Sequence, residues 1–167
     1  MDEIEARVRR ALDETGVAFE FIDCDPALAD TAVFCAHYGY PLDRSANTIV
    51  VASRKPEGRF AACVVLATAR LDVNRRVRRL LGVQKLSFAP PEVTAEVTGM
   101  LIGGVTPFGL PEGLPLWIDA AVMTREWVIL GGGSRSLKVK APPHILERLP
   151  AAAVVEGLAV SGTSDAG

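Results

Sequence analysis

The sequence predicts an α+β fold in one domain. Strand-like segments cluster in the middle and toward the end, with helical segments set irregularly between them, unlike the even alternation that builds a parallel sheet. The 167 residues are enough to bury one core, and 49% apolar with 23% charged residues is ordinary globular composition. No internal repeat or linker divides the chain. Residues 1–160 read as the domain, and 161–167 (SGTSDAG) as a small, polar, fraying tail.

The elements follow in order. Ile4, Val8, Ala11 and Leu12 recur at helical spacing over residues 2–15, and Gly16 supplies the stop. Val17, Phe19 and Phe21 alternate as in a half-buried strand. Asp30 is a suitable N-cap for a short helix carrying Val33, Phe34 and Tyr38, closed by Gly39. Strands over 47–52 and 60–66 flank Lys55-Pro56-Glu57-Gly58, a hairpin loop; the unbroken apolar run of the second predicts a central strand covered on both faces. Asp72 caps a third helix with Val73, Val77, Leu80 and Leu81 on its inner face, so its arginines point largely outward. Pro90-Pro91 opens a fourth. Strands follow over 116–119, 127–130 and 137–140, and Pro142-Pro143 starts a last helix through Leu149.

Several classes of chemistry are excluded or left without support. The N-terminus lacks the apolar stretch of a secretory signal, and no run of about eighteen apolar residues offers a membrane span. Cys24, Cys35 and Cys63 are odd in number and lack CxxC spacing, which fits a reducing cytoplasm. Cys35 and His37 do not share a helix face, so no metal site is expected. Gly132-Gly133-Ser134-Arg135-Ser136 lacks the closing glycine of a hydrolase elbow, and no phosphate-loop or dinucleotide fingerprint is present. No cofactor is implied.

Net charge is −2, yet the window from Arg70 to Lys85 carries +5 and leaves −7 for the remainder. Arg75, Arg76, Arg78 and Arg79 are thus either a phosphate-binding surface or a solvated helix face. The loops at Gly103-Gly104 and Gly131–Gly133 are either tight turns or sources of backbone N–H donors for a carbonyl, oxyanion or phosphate.

Taken together, the motifs resemble a known family. Thr98-Gly99-Met100-Leu101-Ile102-Gly103-Gly104-Val105-Thr106-Pro107-Phe108-Gly109 is similar to the glycine loop of YbaK-type proteins, relatives of the editing domain of bacterial prolyl-tRNA synthetases. Leu114–Asp119 (LPLWID), Gly132–Leu137 (GGSRSL) and the stretch from Asp72 to Leu86 agree in the same order, so the likeness spans roughly residues 45–150. The resemblance implies a mixed, largely antiparallel, barrel-like sheet with helices packed outside. It also implies hydrolysis of the ester joining a small mischarged amino acid to tRNA, acting in trans in the cytoplasm. The resemblance implies aminoacyl-tRNA as the partner and leaves association with a tRNA synthetase open.

By this resemblance Asn47, Thr48, Gly103, Gly104, Gly132 and Gly133 fall at catalytic positions. Thr106, Pro107, Asp119, Ser134 and Lys138 fall at substrate-binding positions, and the four arginines are expected on tRNA phosphates. Two departures stand out. The family typically carries a lysine where this chain has Asn47, an uncharged donor and acceptor. Lys138 replaces an acid, and two readings of it are open: a cation reaching the cleft, or a solvated lysine turned outward between buried Leu137 and Val139. The loss at Asn47 keeps a second function in view, a non-catalytic binder of aminoacyl-tRNA or a related small ligand.

Overall fold

A computed structural model describes residues 2–161. Helix α1 (Glu3–Glu14) opens on a capping box. Asp2 Oδ1 accepts the Glu5 N–H at 2.8 Å and Glu5 Oε1 accepts the Asp2 N–H at 3.1 Å, which satisfies two donors that a helix start leaves unpaired. Val8 and Leu12 point fully into the core. Strand β1 (Glu20–Asp23) starts later than the Val17-Phe19-Phe21 alternation predicts. Val17 and Phe19 still pack against the core; ladder partners begin at Glu20. Helix α2 (Thr31–Tyr38) begins after Asp30 and ends at Gly39, whose φ of 78° suits glycine.

The hairpin is longer than the sequence suggests: β2 (Ala46–Lys55) and β3 (Glu57–Leu66) pair from end to end. Ala62, Val64 and Leu66 enter one apolar cluster with Val8 and Phe108. Ala61, Cys63 and Val65 enter a second with Val77 and Leu81, so β3 is covered on both faces as predicted. Burial pushes the Cys63 thiol up to about 12, which keeps it an inert core group.

After β4 (Ala69–Leu71) the chain winds through a π-helical turn (Val73–Val77) into α3 (Arg78–Leu81). Val73, Val77 and Leu81 are buried, but Leu80, expected on the inner face, is exposed. The Val77 N–H reaches back five residues to Asp72 O at 3.0 Å, and this wider turn rotates the following residues off the simple helical phase. Strand β5 (Lys85–Phe88), helix α4 (Pro91–Thr98), β6 (Leu116–Asp119), β7 (Val128–Gly131) and β8 (Leu137–Ala141) follow. The helix expected from Pro142 is a 3₁₀ run, Pro143–Arg148, and β9 (Ala152–Val155) and β10 (Ala159–Ser161) come after it. Ser161 pairs with Ala69; the rest of the expected tail, residues 162–167, lies outside the described residues.

The expected single barrel-like sheet is replaced by three. β5-β2-β3-β6-β9 form a five-stranded sheet, β1-β8-β7 a three-stranded one, and β10-β4 a pair. The β3–β6 and β6–β9 pairings are parallel and the others antiparallel. The two larger sheets meet at an isolated parallel bridge between Ser45 and Ile129, beyond which β2 and β7 do not pair. That parting prevents closure and opens a cleft. No helix among the described residues is long and apolar enough to cross a membrane.

Asp119 fastens the far side of the sheet. Its Oδ1 accepts the Leu158 N–H at 3.1 Å and the Ala159 N–H at 3.4 Å, anchoring the approach to β10. Burial holds its pKa above the ordinary 3.8 despite these amides. The folded state therefore binds the proton more tightly, so this group's contribution to stability falls as pH rises from about 3.8 through the raised value. Asp119→Asn, which keeps an acceptor, is expected to remove that pH dependence in urea titrations run from acid to neutral pH. Asp119→Ala, which orphans the amides, should cost about 1–3 kcal/mol. An unaltered pH profile in the Asn variant contradicts the assignment.

Candidate active site

Where β2 and β7 part, they leave a cleft of about 70 Å³. Ser45–Ile49 and Ile129–Gly131 line its base, Asp30, Thr31 and Phe34 one wall, and the loop from Ile102 to Val105 the other. For comparison, an apolar cavity of about 150 Å³ holds benzene. This one takes a small side chain or functional group and little more.

Lys138 enters the cleft from β8. It pairs with Gly131 and Ile22 in register, so it shares the face of β8 that meets α2. The expected alternation between buried and solvated residues fails here, because the sheet is covered on both faces: Leu137, Lys138 and Val139 are all buried, Lys138 to 5% exposure. Its Nζ donates to Ala29 O at 2.6 Å and to Gly103 O at 2.9 Å, and lies 5.4 Å from the centre of the Phe34 ring. Two carbonyls and an aromatic face compensate the lost hydration. An ammonium has three N–H donors, so one remains for a ligand. Burial first, then Arg135, lowers the Lys138 pKa from the usual 10.5; Cys24, Asp30 and Cys35 oppose the shift.

Asn47 and Thr48 complete the polar lining. Thr31 Oγ1 donates to Asn47 Oδ1 at 2.6 Å, which fixes the amide and leaves its NH₂ without a hydrogen bond to another described residue. The neighbouring Thr48 Oγ1 is buried with no partner. A buried orphan hydroxyl costs about 1–3 kcal/mol, and this one is enclosed on the face of β2 opposite Asn47. Gly103, at φ 92°, turns its carbonyl to Lys138, and a Cβ there would run into the Arg135 guanidinium. Its N–H makes no backbone hydrogen bond among the described residues.

The remaining glycines serve a different purpose. The Gly104 N–H bonds Leu101 O at 2.9 Å, Gly132 N–H bonds Leu137 O at 3.0 Å, and Gly133 N–H bonds Gly104 O at 2.8 Å. The two glycine loops are therefore joined, but these three amides are committed to protein carbonyls and are not free oxyanion donors. Close packing explains their composition: a Cβ on Gly104 would lie 2.6 Å from the Ser134 carbonyl carbon, and one on Gly133 2.7 Å from Val8. Thr106 and Pro107 are buried behind the loop and do not line the cleft. Ser134 Oγ instead donates to Glu5 Oε2 at 2.8 Å, and Asp119 lies beneath Leu158. Arg75, Arg76 and Arg79 are exposed and Arg78 half-buried, all outside the cleft.

Asp30, Thr31, Phe34 and Ser45 carry no site signal in the motifs, and Arg135 only its place within one, yet they line or brace the cleft. Asp30 was legible only as an N-cap, and its side chain caps nothing; it accepts from Arg135 Nη1 at 3.2 Å. Arg135 also donates to Ile102 O at 2.6 Å and Pro26 O at 2.9 Å, bracing both lips of the cleft. Its signal lay inside the GGSRSL motif, where only serine and glycines were assigned. Among the described residues no three His, Cys, Asp or Glu side chains gather closely enough to hold a metal ion.

Two variants probe this geometry. Thr48→Val is expected to hold stability or raise it by up to about 1 kcal/mol in denaturant titration, because it removes an unpartnered hydroxyl without changing shape; a loss above that size would mean the hydroxyl is bonded. Lys138 has a folded pKa below its unfolded one, so stability should rise as pH climbs from that lowered value toward 10.5. Lys138→Met should abolish the rise, and its persistence in the variant would assign it to another group.

The aminoacyl-tRNA editing domain matches residues 25–149. Among curated proteins, uncharacterized protein YwhH of Bacillus subtilis (strain 168) is 32% identical over 109 residues, covering 65% of this chain and 66% of that protein, just under two thirds of its length. Two solved structures share the fold. One, described as a candidate trans-editing enzyme for prolyl tRNA synthetase, is 24% identical with a TM-score of 0.79, over 97% of this chain and 99% of the other. The second, hypothetical protein APE2540, is 24% identical with a TM-score of 0.81, over 92% and 99%. Every segment that lines the cleft falls within residues 25–149. The chain belongs to the aminoacyl-tRNA editing domain family.

Proposed function

We propose that the protein hydrolyses the ester between a small mischarged amino acid and the 3′-terminal ribose of tRNA, acting in trans. The observation that carries this reading is the convergence of Lys138, Asn47, Thr48 and Gly103 on a cleft of about 70 Å³. An activated ester needs no protein nucleophile; it needs a placed water and donors for the oxyanion that develops on its carbonyl. The free Lys138 donor and the Gly103 N–H serve that oxyanion. The Asn47 amide, held by Thr31, orients the ester and the adenosine ribose, with the adjoining Thr48 backbone in the lining. Water adds to the carbonyl carbon, the carbon–oxygen bond to the ribose breaks, and the leaving oxygen takes a proton to become the ribose hydroxyl. Asn47 does not titrate, and Asp30, the carboxylate lining the cleft, is engaged by Arg135. The resemblance implies that the neighbouring ribose hydroxyl assists in moving the proton.

Selection for small amino acids follows from volume. One methylene discriminates by about 1–3 kcal/mol in an apolar pocket, but a side chain larger than the cleft is excluded by overlap. Arg75, Arg76, Arg78 and Arg79 add a positive surface for the tRNA backbone. A second reading, binding of aminoacyl-tRNA without turnover, is favoured by one observation: among the described residues, no unpaired carboxylate or histidine lines the cleft.

A panel of mischarged tRNAs, scored for both released amino acid and retained aminoacyl-tRNA, separates the two. Deacylation of tRNAs carrying the smallest amino acids is expected, and Lys138→Ala should lower kcat by about 10²–10³-fold, the usual cost of one oxyanion donor. Retention without release would replace the hydrolase by the binder, and release unaffected in Lys138→Ala would remove Lys138 from the mechanism.

A further inference from the structure

Far from the cleft, the opposite end of β2 forms a second concavity. Arg54 and Lys55 of β2, Asn74 and Arg78 of the π turn and α3, and Gln84, Lys85 and Ser87 around β5 line an open hollow of about 680 Å³. Four of these side chains are cations and none is an acid. Arg59 extends the patch, its guanidinium 4.0 Å from where a Cβ of Gly82 would sit. Glu57 faces Arg54 across the hairpin, but neither it nor any other described acid forms a salt bridge with Arg54, Lys55, Arg78 or Lys85. Four separate stretches of chain thus bring uncompensated charge to one place on a protein of net charge −2. Such a cluster sets up a positive potential that attracts anions.

The hollow is placed to act with the cleft. Asn47, Ile49 and Val51 alternate on one face of β2, and Ile49 and Val51 pack beneath Val73, Val77 and Leu81. The arginine-bearing turn shares that apolar cluster with β2 and lines the hollow through Asn74 and Arg78, with Arg75, Arg76 and Arg79 exposed along its outer side. Seven residues separate Asn47 from Arg54, or about 23 Å at roughly 3.3 Å per strand residue. At about 3.4 Å per phosphate of a stacked strand, that span corresponds to roughly seven nucleotides.

We propose that this hollow is a distal phosphate anchor, taking the backbone of an RNA strand whose 3′ end enters the cleft. Arg54 and Arg78 supply forked donors to phosphate oxygens, and Lys55 and Lys85 supply point charges. The identity of the RNA rests on the proposed function, but the test does not, because it uses RNA carrying no amino acid. Binding of an uncharged acceptor-stem RNA hairpin is measured across a salt series for the parent and for an Arg54→Gln/Lys85→Gln double variant. An Arg9→Gln/Arg10→Gln control removes equal charge from the exposed side of α1. Each lost phosphate contact should flatten the plot of log affinity against log salt by about 0.7–0.9, so the hollow variant should flatten it by about 1.4–1.8. It should also lose roughly tenfold in affinity near physiological salt, with the control changing far less. Both positions are exposed, so melting temperature should hold; if the double variant fails to fold, Lys85→Gln alone should give half the slope change. Equal effects in the hollow variant and the control would overturn the anchor. Tripolyphosphate binding that depends on Arg54 and Lys85, with RNA affinity unchanged, would overturn the RNA assignment in favour of a small-anion site.

Discussion

The site depends on one buried ammonium. Lys138 is 5% exposed, and a lysine so placed persists only where the protein replaces its hydration. Ala29 O and Gly103 O do so, and they come from separate segments, one leading into α2 and the other within the glycine loop. Satisfying the charge therefore fixes the spacing of the two walls. Arg135 repeats the connection at the surface, joining Pro26 O and Asp30 on one side to Ile102 O on the other. An inner and an outer cation thus hold the cleft at a width suited to a small group.

The unclosed seam makes room for that cation. Had β2 and β7 continued to pair beyond Ser45 and Ile129, backbone would fill the space into which Lys138, Asn47 and Thr48 converge. The glycine loops then brace the open edge. They bond to one another through Gly133 N–H and Gly104 O and press against α1 at Val8, while Glu5 reaches Ser134 from the same helix. In this way the N-terminal helix, remote in sequence, keeps the loop carrying Gly103 in place.

Much of the scaffold was legible because its signals are local. Asp30 before α2, Gly39 after it, the β2–β3 hairpin and the doubly covered β3 each follow from spacing or turn chemistry within a few residues. β4 and β10 are only three residues long, and β5 (KLSF) and β9 (AAVV) carry a weaker strand signal than β6 (LWID) and β7 (VILG), so these four were not read. Leu80 was misplaced because nothing in VNRRVRR announces a π turn. Site residues divide the same way. The resemblance pointed to Gly103 through a glycine loop and to Asn47 and Thr48 through a strand, but whether an amide is free or already bonded is set by tertiary contacts, and the Gly104, Gly132 and Gly133 amides are bonded to protein carbonyls. Lys138 illustrates the limit most clearly: alternation argues for solvent, and only the covering of both faces of β8 by distant segments turns it inward.

The proposed function requires that the seam between the two sheets, with Lys138 at its wall, receive the aminoacylated end of tRNA. Amide and side-chain NMR of the labelled protein, titrated with a non-hydrolysable 3′-aminoacylamino-adenosine carrying a small amino acid, tests it most directly. Saturable shifts are expected at Asn47, Thr48, Gly103 and the Lys138 ammonium, with the β4–β10 pair undisturbed. Shifts concentrated away from the cleft, or none at the Lys138 ammonium under saturating ligand, would contradict a role for this cleft in deacylation.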